Sequence, residues 1–174
     1  LGSNSARAYI DFTRQLARHL ASFGKTLTVQ VAVDDQAYDV AALAKAAHMI
    51  IVMLYDEHTE MGKPGPLAGQ GWFEQKLALM RALVPASKLI VGLGSYAYDW
   101  ADNATAQELS VQEALELLSS SKASLVFDST LNPQFAYSNA ESGRQHVIWY
   151  LDAVTAHNQI AAALQERVAG LSLW

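Results

Sequence analysis

The sequence predicts an α/β fold built around a parallel sheet. Through the first hundred residues, apolar strand-like runs alternate with helix-period segments in the order α-β-α-β-α-β. The central runs are unbroken: Met49-Ile-Ile-Val-Met-Leu54 has no polar residue, as in a strand covered on both faces. After residue 100 the pattern shifts to short strand-like pieces and turns, which predicts a small α+β insertion before a last helix and strand.

Tyr9, Phe12, Leu16, Leu20 and Phe23 recur at three- and four-residue steps and predict a helix that stops at Gly24. Asp11 falls on its surface. Leu27 to Val33 is β-rich and ends at Asp34-Asp35. A short helix carries Val40, Leu43 and Ala47. The strand 49–54 follows, then Tyr55-Asp-Glu-His58 and the turn-rich loop Gly62-Lys-Pro-Gly-Pro66. Phe73, Leu77, Met80 and Val84 mark a helix from about Trp72, and Lys88 to Leu93 is the next buried strand. Residues 1–100 therefore form one segment of strands and helices.

The insertion spans 101–150. Ser110-Val-Gln-Glu113 is a capping box that opens a helix through Leu118. Strand-like pieces follow at 125–127, 135–137 and 146–150, divided by turns at Asn132-Pro133 and Glu141-Ser-Gly143. Residues 151–174 resume the first pattern. Asp152 can cap a helix bearing Val154, Ile160, Leu164 and Val168, and Leu171 to Trp174 begins a last strand.

Composition narrows the chemistry. The 174 residues carry a net charge of −5 and no basic run, which argues against nucleic acid and anionic membranes. No apolar stretch is long enough to span a bilayer. Cysteine is absent, excluding disulfides, thiolate metal sites and thiol catalysis. There is no G-x-S-x-G elbow for a serine nucleophile. Gly92-Leu-Gly94-Ser-Tyr-Ala97 fits a dinucleotide fingerprint by letter, yet Tyr-Ala-Tyr-Asp-Trp is a poor helix opening, so no cofactor is expected. Asn103-Ala-Thr105 matches a glycosylation acceptor, a short motif that often occurs by chance.

In a parallel sheet the site lies at the C-terminal strand ends. Four clusters fall there: Asp34-Asp35, Tyr55 to His58, Tyr96 to Trp100, and Trp174. Carboxylates and phenols bond sugar hydroxyls and amides, and flat rings cover the apolar face of a pyranose. A phosphate would ask for Lys, Arg or a glycine-rich helix start. Each cluster has a plainer reading. Tyr55 to His58 can be a solvated loop, and Tyr96 to Trp100 can be packing at the core edge. Asp56, Glu57 and His58 are all metal-ligand types, but adjacent residues point in opposite directions, so no metal is expected.

Several blocks occur in one order: Met53-Leu-Tyr-Asp-Glu-His58, Pro64-Gly-Pro66, Trp72-Phe-Glu74, Val91 to Trp100, Asn132-Pro-Gln-Phe-Ala-Tyr137 and Trp149-Tyr-Leu-Asp-Ala153. Together they resemble the second half of a glycoside hydrolase family 18 domain, in the branch that includes spore-cortex hydrolases. The resemblance implies a partial (β/α)8 TIM barrel. Strands five to eight would lie at 27–33, 49–54, 88–94 and 171–174, with the α+β insertion after the seventh. It implies cleavage of β-1,4 bonds beside N-acetylglucosamine with retention, the substrate's acetamido oxygen serving as nucleophile. It also implies an extracellular or cell-envelope setting.

The family's acid is a Glu in a D-x-x-D-x-D-x-E run, and no such run occurs in this chain. The catalytic Glu is thus expected upstream. By resemblance, Tyr55 bonds the acetamido group, Asp56 holds a sugar hydroxyl or that Tyr, and Trp174 floors the distorted sugar. Tyr96 and Tyr98 line the cleft. Asp152 is a family-typical position that equally suits a helix cap. Gly94 and Ala97 stand where relatives often carry Pro and Gly, which reshapes the rim. The expected partners are an N-acetylated glycan and either the missing barrel half or a second copy. Two alternatives stay open: a non-catalytic carbohydrate-binding module, and a structural domain of a polysaccharide deacetylase or glycosyltransferase fusion.

Overall fold

A computed structural model describes residues 3–35, 37–102 and 104–174. The expectation for Asn103 lies outside them. No helix of the described residues is long and apolar enough to cross a membrane. The chain divides into two compact units.

The first unit comprises Leu1–Leu54, Gln75–Gly92 and Ala162–Ser172. Its sheet has four strands: β1 (Thr28–Ala32), β2 (Met49–Met53), β3 (Leu89–Leu93) and, last in the chain, β9 (Gly170–Leu173). They lie in the order β1-β2-β3-β9. β1 and β2 are parallel with Val29 opposite Ile50, and β2 and β3 are parallel with Val52 opposite Val91. The sheet is open, with β1 and β9 at its edges, and no closed barrel is seen among the described residues.

The predicted helices are present as α1 (Ser3–Ala21), α2 (Val40–Ala46) and α3 (Gln70–Leu83). Asp39 caps α2 by accepting from the Ala42 amide at 2.9 Å. Val31, Leu43, Ile50, Val52, Leu77, Leu89 and Val91 form the buried interior, which explains the unbroken apolar runs. One departure concerns α1. Phe12 and Phe23, on the expected apolar stripe, are exposed.

The second unit comprises Tyr55–Glu74, Leu93–Ala161 and Leu173–Trp174. It contains β4 (Ala97–Ala101), β5 (Gln107–Leu109), α4 (Val111–Ser121), β6 (Val126–Phe127), β7 (Pro133–Ser138), β8 (Gln145–Tyr150) and most of α5 (Ala153–Gln165). The strands form an antiparallel sheet in the order β5-β4-β8-β7-β6. The cluster Tyr96 to Trp100 is thus largely a strand of this sheet. Ala97, Ala114, Phe135, Ile148 and Tyr150 make a small core, with Leu109, Leu117 and Tyr137 packed on it. α4 starts with the predicted box: Ser110 Oγ accepts from the Glu113 amide, and Glu113 accepts from the Ser110 amide at 2.8 Å.

Candidate functional site

The site belongs to the second unit and begins where the chain leaves β2. From Tyr55 to Gly69 it forms a loop tied to itself. The Glu57 amide donates to Leu67 O at 2.9 Å, and Glu57 Oε2 accepts from the Gly69 amide at 2.7 Å. His58 Nδ1 lies 3.1 Å from Pro66 O. The imidazole fits because residue 65 is glycine; a Cβ there would lie 2.5 Å from the ring. Glu57 and His58, two of the residues weighed as metal ligands, are therefore engaged in holding the loop.

A buried amide fixes the far end of the loop. Asn132 is fully buried; its Oδ1 accepts from the Ala68 amide at 3.2 Å and its Nδ2 donates to Ala68 O at 3.0 Å. Gln159 of α5, also fully buried, donates to Ala68 O at 2.8 Å. Buried polar groups of this kind are conformational clamps, because an unmet partner is costly. In the sequence, Asn132 signalled only a turn.

Asp56 sits in the left-handed region at φ 65°, which Asp tolerates better than most residues. This bend presents an exposed carboxylate. Its Oδ1 accepts hydrogen bonds from the Tyr96 hydroxyl and, at 3.2 Å, from the Tyr98 hydroxyl. Tyr98 also lies 3.4 Å from Glu60 Oε2, so its hydroxyl bridges two carboxylates. The expected alternation put Tyr96 and Tyr98 on one side, and both reach Asp56. Sequence reasoning missed Glu60, which sits in a loop without periodicity.

Four rings run alongside. Tyr55 meets Tyr96 edge-on with centroids 6.0 Å apart, Tyr96 meets Tyr98 at 5.1 Å, and Tyr98 meets Trp100 at 5.3 Å. Gly94 makes room for the first pair, since a Cβ there would lie 2.5 Å from the Tyr96 ring and 2.9 Å from Tyr55 Cβ. Trp174 is positioned by its backbone: its amide donates to Leu93 O at 2.9 Å, and its carbonyl accepts from the Ser95 amide at 2.9 Å. Its indole is 69% exposed, so it does not fill a core within this chain.

Asp152 caps α5, its Oδ1 accepting from the Thr155 amide at 2.7 Å. Of the six sequence-selected residues, Tyr55, Asp56, Tyr96 and Tyr98 are linked by side-chain contacts. Trp174 is tied in through backbone bonds, and Asp152 is engaged with its own helix. Asp34 and Asp35 belong to the other unit. There Asp34 pairs with Lys76, and Asp35 Oδ1 accepts from the Ala37 amide at 2.8 Å.

Burial, then the Asp56 carboxylate, pushes the Tyr96 hydroxyl far above its ordinary 10.0. Burial, with Asp56 and Glu60, raises Tyr98 as well. Elsewhere in the unit, burial and Asp99 push Tyr137 up to about 12. These shifts fix the sign of an alkaline response. Below the ordinary value each phenol is neutral in both folded and unfolded chains. Above it the unfolded chain ionises first, so stability is lost as pH climbs toward the folded value. The melting temperature is expected to fall from pH 10.0 toward about 12, and to fall less steeply in Tyr137→Phe. Equal slopes in the two proteins would contradict the assignment.

The model for glycosyl hydrolases family 18 matches residues 2–174. The uncharacterized glycosylase YvbX of Bacillus subtilis is 31% identical over 140 residues, covering 79% of this chain and 40% of that protein. A chitinase from Chromobacterium violaceum superposes with a TM-score of 0.91 at 28% identity, over 98% of this chain and 57% of that one. The Bacillus cereus spore cortex-lytic enzyme SleL gives a TM-score of 0.90 at 25% identity, over 98% and 42%. The chain thus spans less than two thirds of each of these relatives.

Proposed function

The chain belongs to glycosyl hydrolases family 18, and from this we propose that it supplies strands five to eight and the insertion of a (β/α)8 barrel. The barrel hydrolyses a polysaccharide containing β-1,4-linked N-acetylglucosamine. A chitinase and a spore cortex-lytic enzyme among the structural neighbours support that substrate class. The observation that carries the reading is the Asp56 carboxylate, tied by two tyrosines beside Tyr55. It offers an acceptor, phenols and flat rings, and no cationic side chain among the described residues is bonded to it.

In this reading the substrate's acetamido oxygen attacks its own anomeric carbon, and Tyr55 bonds the acetamido group as it closes into a ring. Asp56, oriented by Tyr96 and Tyr98, holds a hydroxyl of the same sugar or the Tyr55 hydroxyl. Trp174 lies beneath it as an exposed flat surface. Asp152 keeps its cap and borders the subsite. The proton comes from a Glu outside these 174 residues, because none of them forms the family's spaced-aspartate run. General acid catalysis contributes about a hundred- to ten-thousand-fold. The open edges β1 and β9 are covered by the rest of the barrel or by a second copy.

The test compares two proteins on N-acetylglucosamine oligomers, with product anomers followed by NMR. The 174-residue chain is expected to be inert. A parent bearing the full barrel is expected to release product with retained configuration. Turnover by the chain alone would place the acid among its own residues. A parent that binds oligomers without cleaving them would favour the binding-module reading. Light scattering on the isolated chain should show self-association, and a stable monomer would count against the covering of the edges by a second copy.

A further inference from the structure

A second polar cluster lies on the opposite face of β4. Side chains alternate along a strand, so Tyr98 turns toward Asp56 while Asp99 turns toward the face that carries α4. Asp99 is buried at 8% exposure. Both of its oxygens lie 2.9 Å from His146 Nδ1, and Tyr137 donates to Oδ2 at 3.2 Å. The Tyr137 ring stacks on the imidazole with centroids 4.7 Å apart. With Nδ1–H donating to Asp99, a neutral His146 keeps Nε2 as an acceptor, and no partner for Nε2 is found among the described residues.

The three residues line a concave cavity of about 630 Å³. α4 contributes Glu113 and Glu116 to its wall, and Leu109 and Leu117 contribute apolar surface. Among the described residues no Lys or Arg lines it, and the two glutamates and Asp99 disfavour an anion there. Acceptors, a stacked aromatic pair and an aliphatic patch match a ligand rich in hydroxyl donors with one apolar face.

We propose that this cavity is a second saccharide site, holding a non-anionic sugar unit of a glycan on the insertion, apart from the subsite at Asp56. That the ligand is a sugar rests on the proposed function above; that it carries no negative charge rests on the cavity alone. A sugar hydroxyl donates to His146 Nε2, and the pyranose face lies on the Leu109 and Leu117 side.

The test is a titration of the chain with the tetramer of N-acetylglucosamine, followed through backbone amide shifts by NMR. Amides of Leu117, Asn139 and His146 are expected to move, and to move equally in Asp56→Asn. His146→Ala is expected to weaken this binding about tenfold, the value of one hydrogen bond of roughly 1.4 kcal/mol. Glu116→Arg, an exposed change at the mouth, should weaken it comparably without touching the Asp99 network. Shifts confined to the surroundings of Asp56 would overturn the second site and leave the glycan reading standing. No shift at either place would overturn the second site, while the glycan reading is decided by turnover in the parent with the full barrel. Cavity shifts unchanged in both variants would also overturn the proposal.

Discussion

Asn132→Ala is expected to destabilise the chain by about 3 kcal/mol, one of the larger effects a single substitution can have here. The change deletes an acceptor and a donor that both serve Ala68, in a site closed to water. The Ala68 carbonyl keeps Gln159, but its amide is left buried and unmet. A small cavity adds to the loss. In a domain of this size each kcal/mol shifts the midpoint by about 2–4 °C, so the melt should come several degrees earlier. Circular dichroism reads this directly, and a midpoint equal to that of the unmodified chain would show that the loop is anchored elsewhere.

Tyr55→Phe is expected to have the opposite profile in a parent with the full barrel. The ring packs edge-on against Tyr96 and is largely buried, and phenylalanine keeps that packing. The melting midpoint should therefore move less than in Asn132→Ala. Turnover of N-acetylglucosamine oligomers should drop by about ten- to a thousand-fold, since one hydrogen bond formed in the transition state is worth a few kcal/mol. Wild-type turnover from this variant in an active parent would remove Tyr55 from the subsite. The two substitutions thus separate what holds the loop from what the loop presents.

The helices and buried strands were legible because each carries its own local signal. Ser110 and Glu113 lie three residues apart and cap α4 as such a pair does. The run at β2 is apolar throughout and is buried or half-buried throughout. β5 is different: Gln107-Glu-Leu109 is a short, largely exposed edge strand, and nothing in three such residues distinguishes it from a turn. Phe12 and Phe23 misled in the other direction, because periodicity states that a stripe exists but not that something covers it.

The candidate site was legible in its residue types and less so in its bonding. Strand-end position singled out Tyr55, Asp56, Tyr96, Tyr98 and Trp174. It did not show that Asp56 accepts from tyrosines 40 and 42 positions away, or that Asn132 reaches across 64 residues to Ala68. Such pairings are decided by tertiary packing, which no window of sequence contains. Asp152 shows the converse. A residue at a helix start has a complete local explanation, and the cap to Thr155 supplies it.

The space above Gly94 carries a consequence for how this rim can change. The Tyr96 ring occupies the volume a side chain at 94 would need, and Tyr55 closes it from another direction. Positions 55, 94 and 96 are thus a single unit of substitution. A proline or alanine at 94 requires a different rotamer at 96 and a shift of the backbone at 55, and the new rotamer moves the Tyr96 phenol off the Asp56 carboxylate. Among family members with a residue larger than glycine at this place, the hydroxyls around the aspartate must be arranged differently. Swapping single rim residues between such proteins should fail where swapping the three together succeeds.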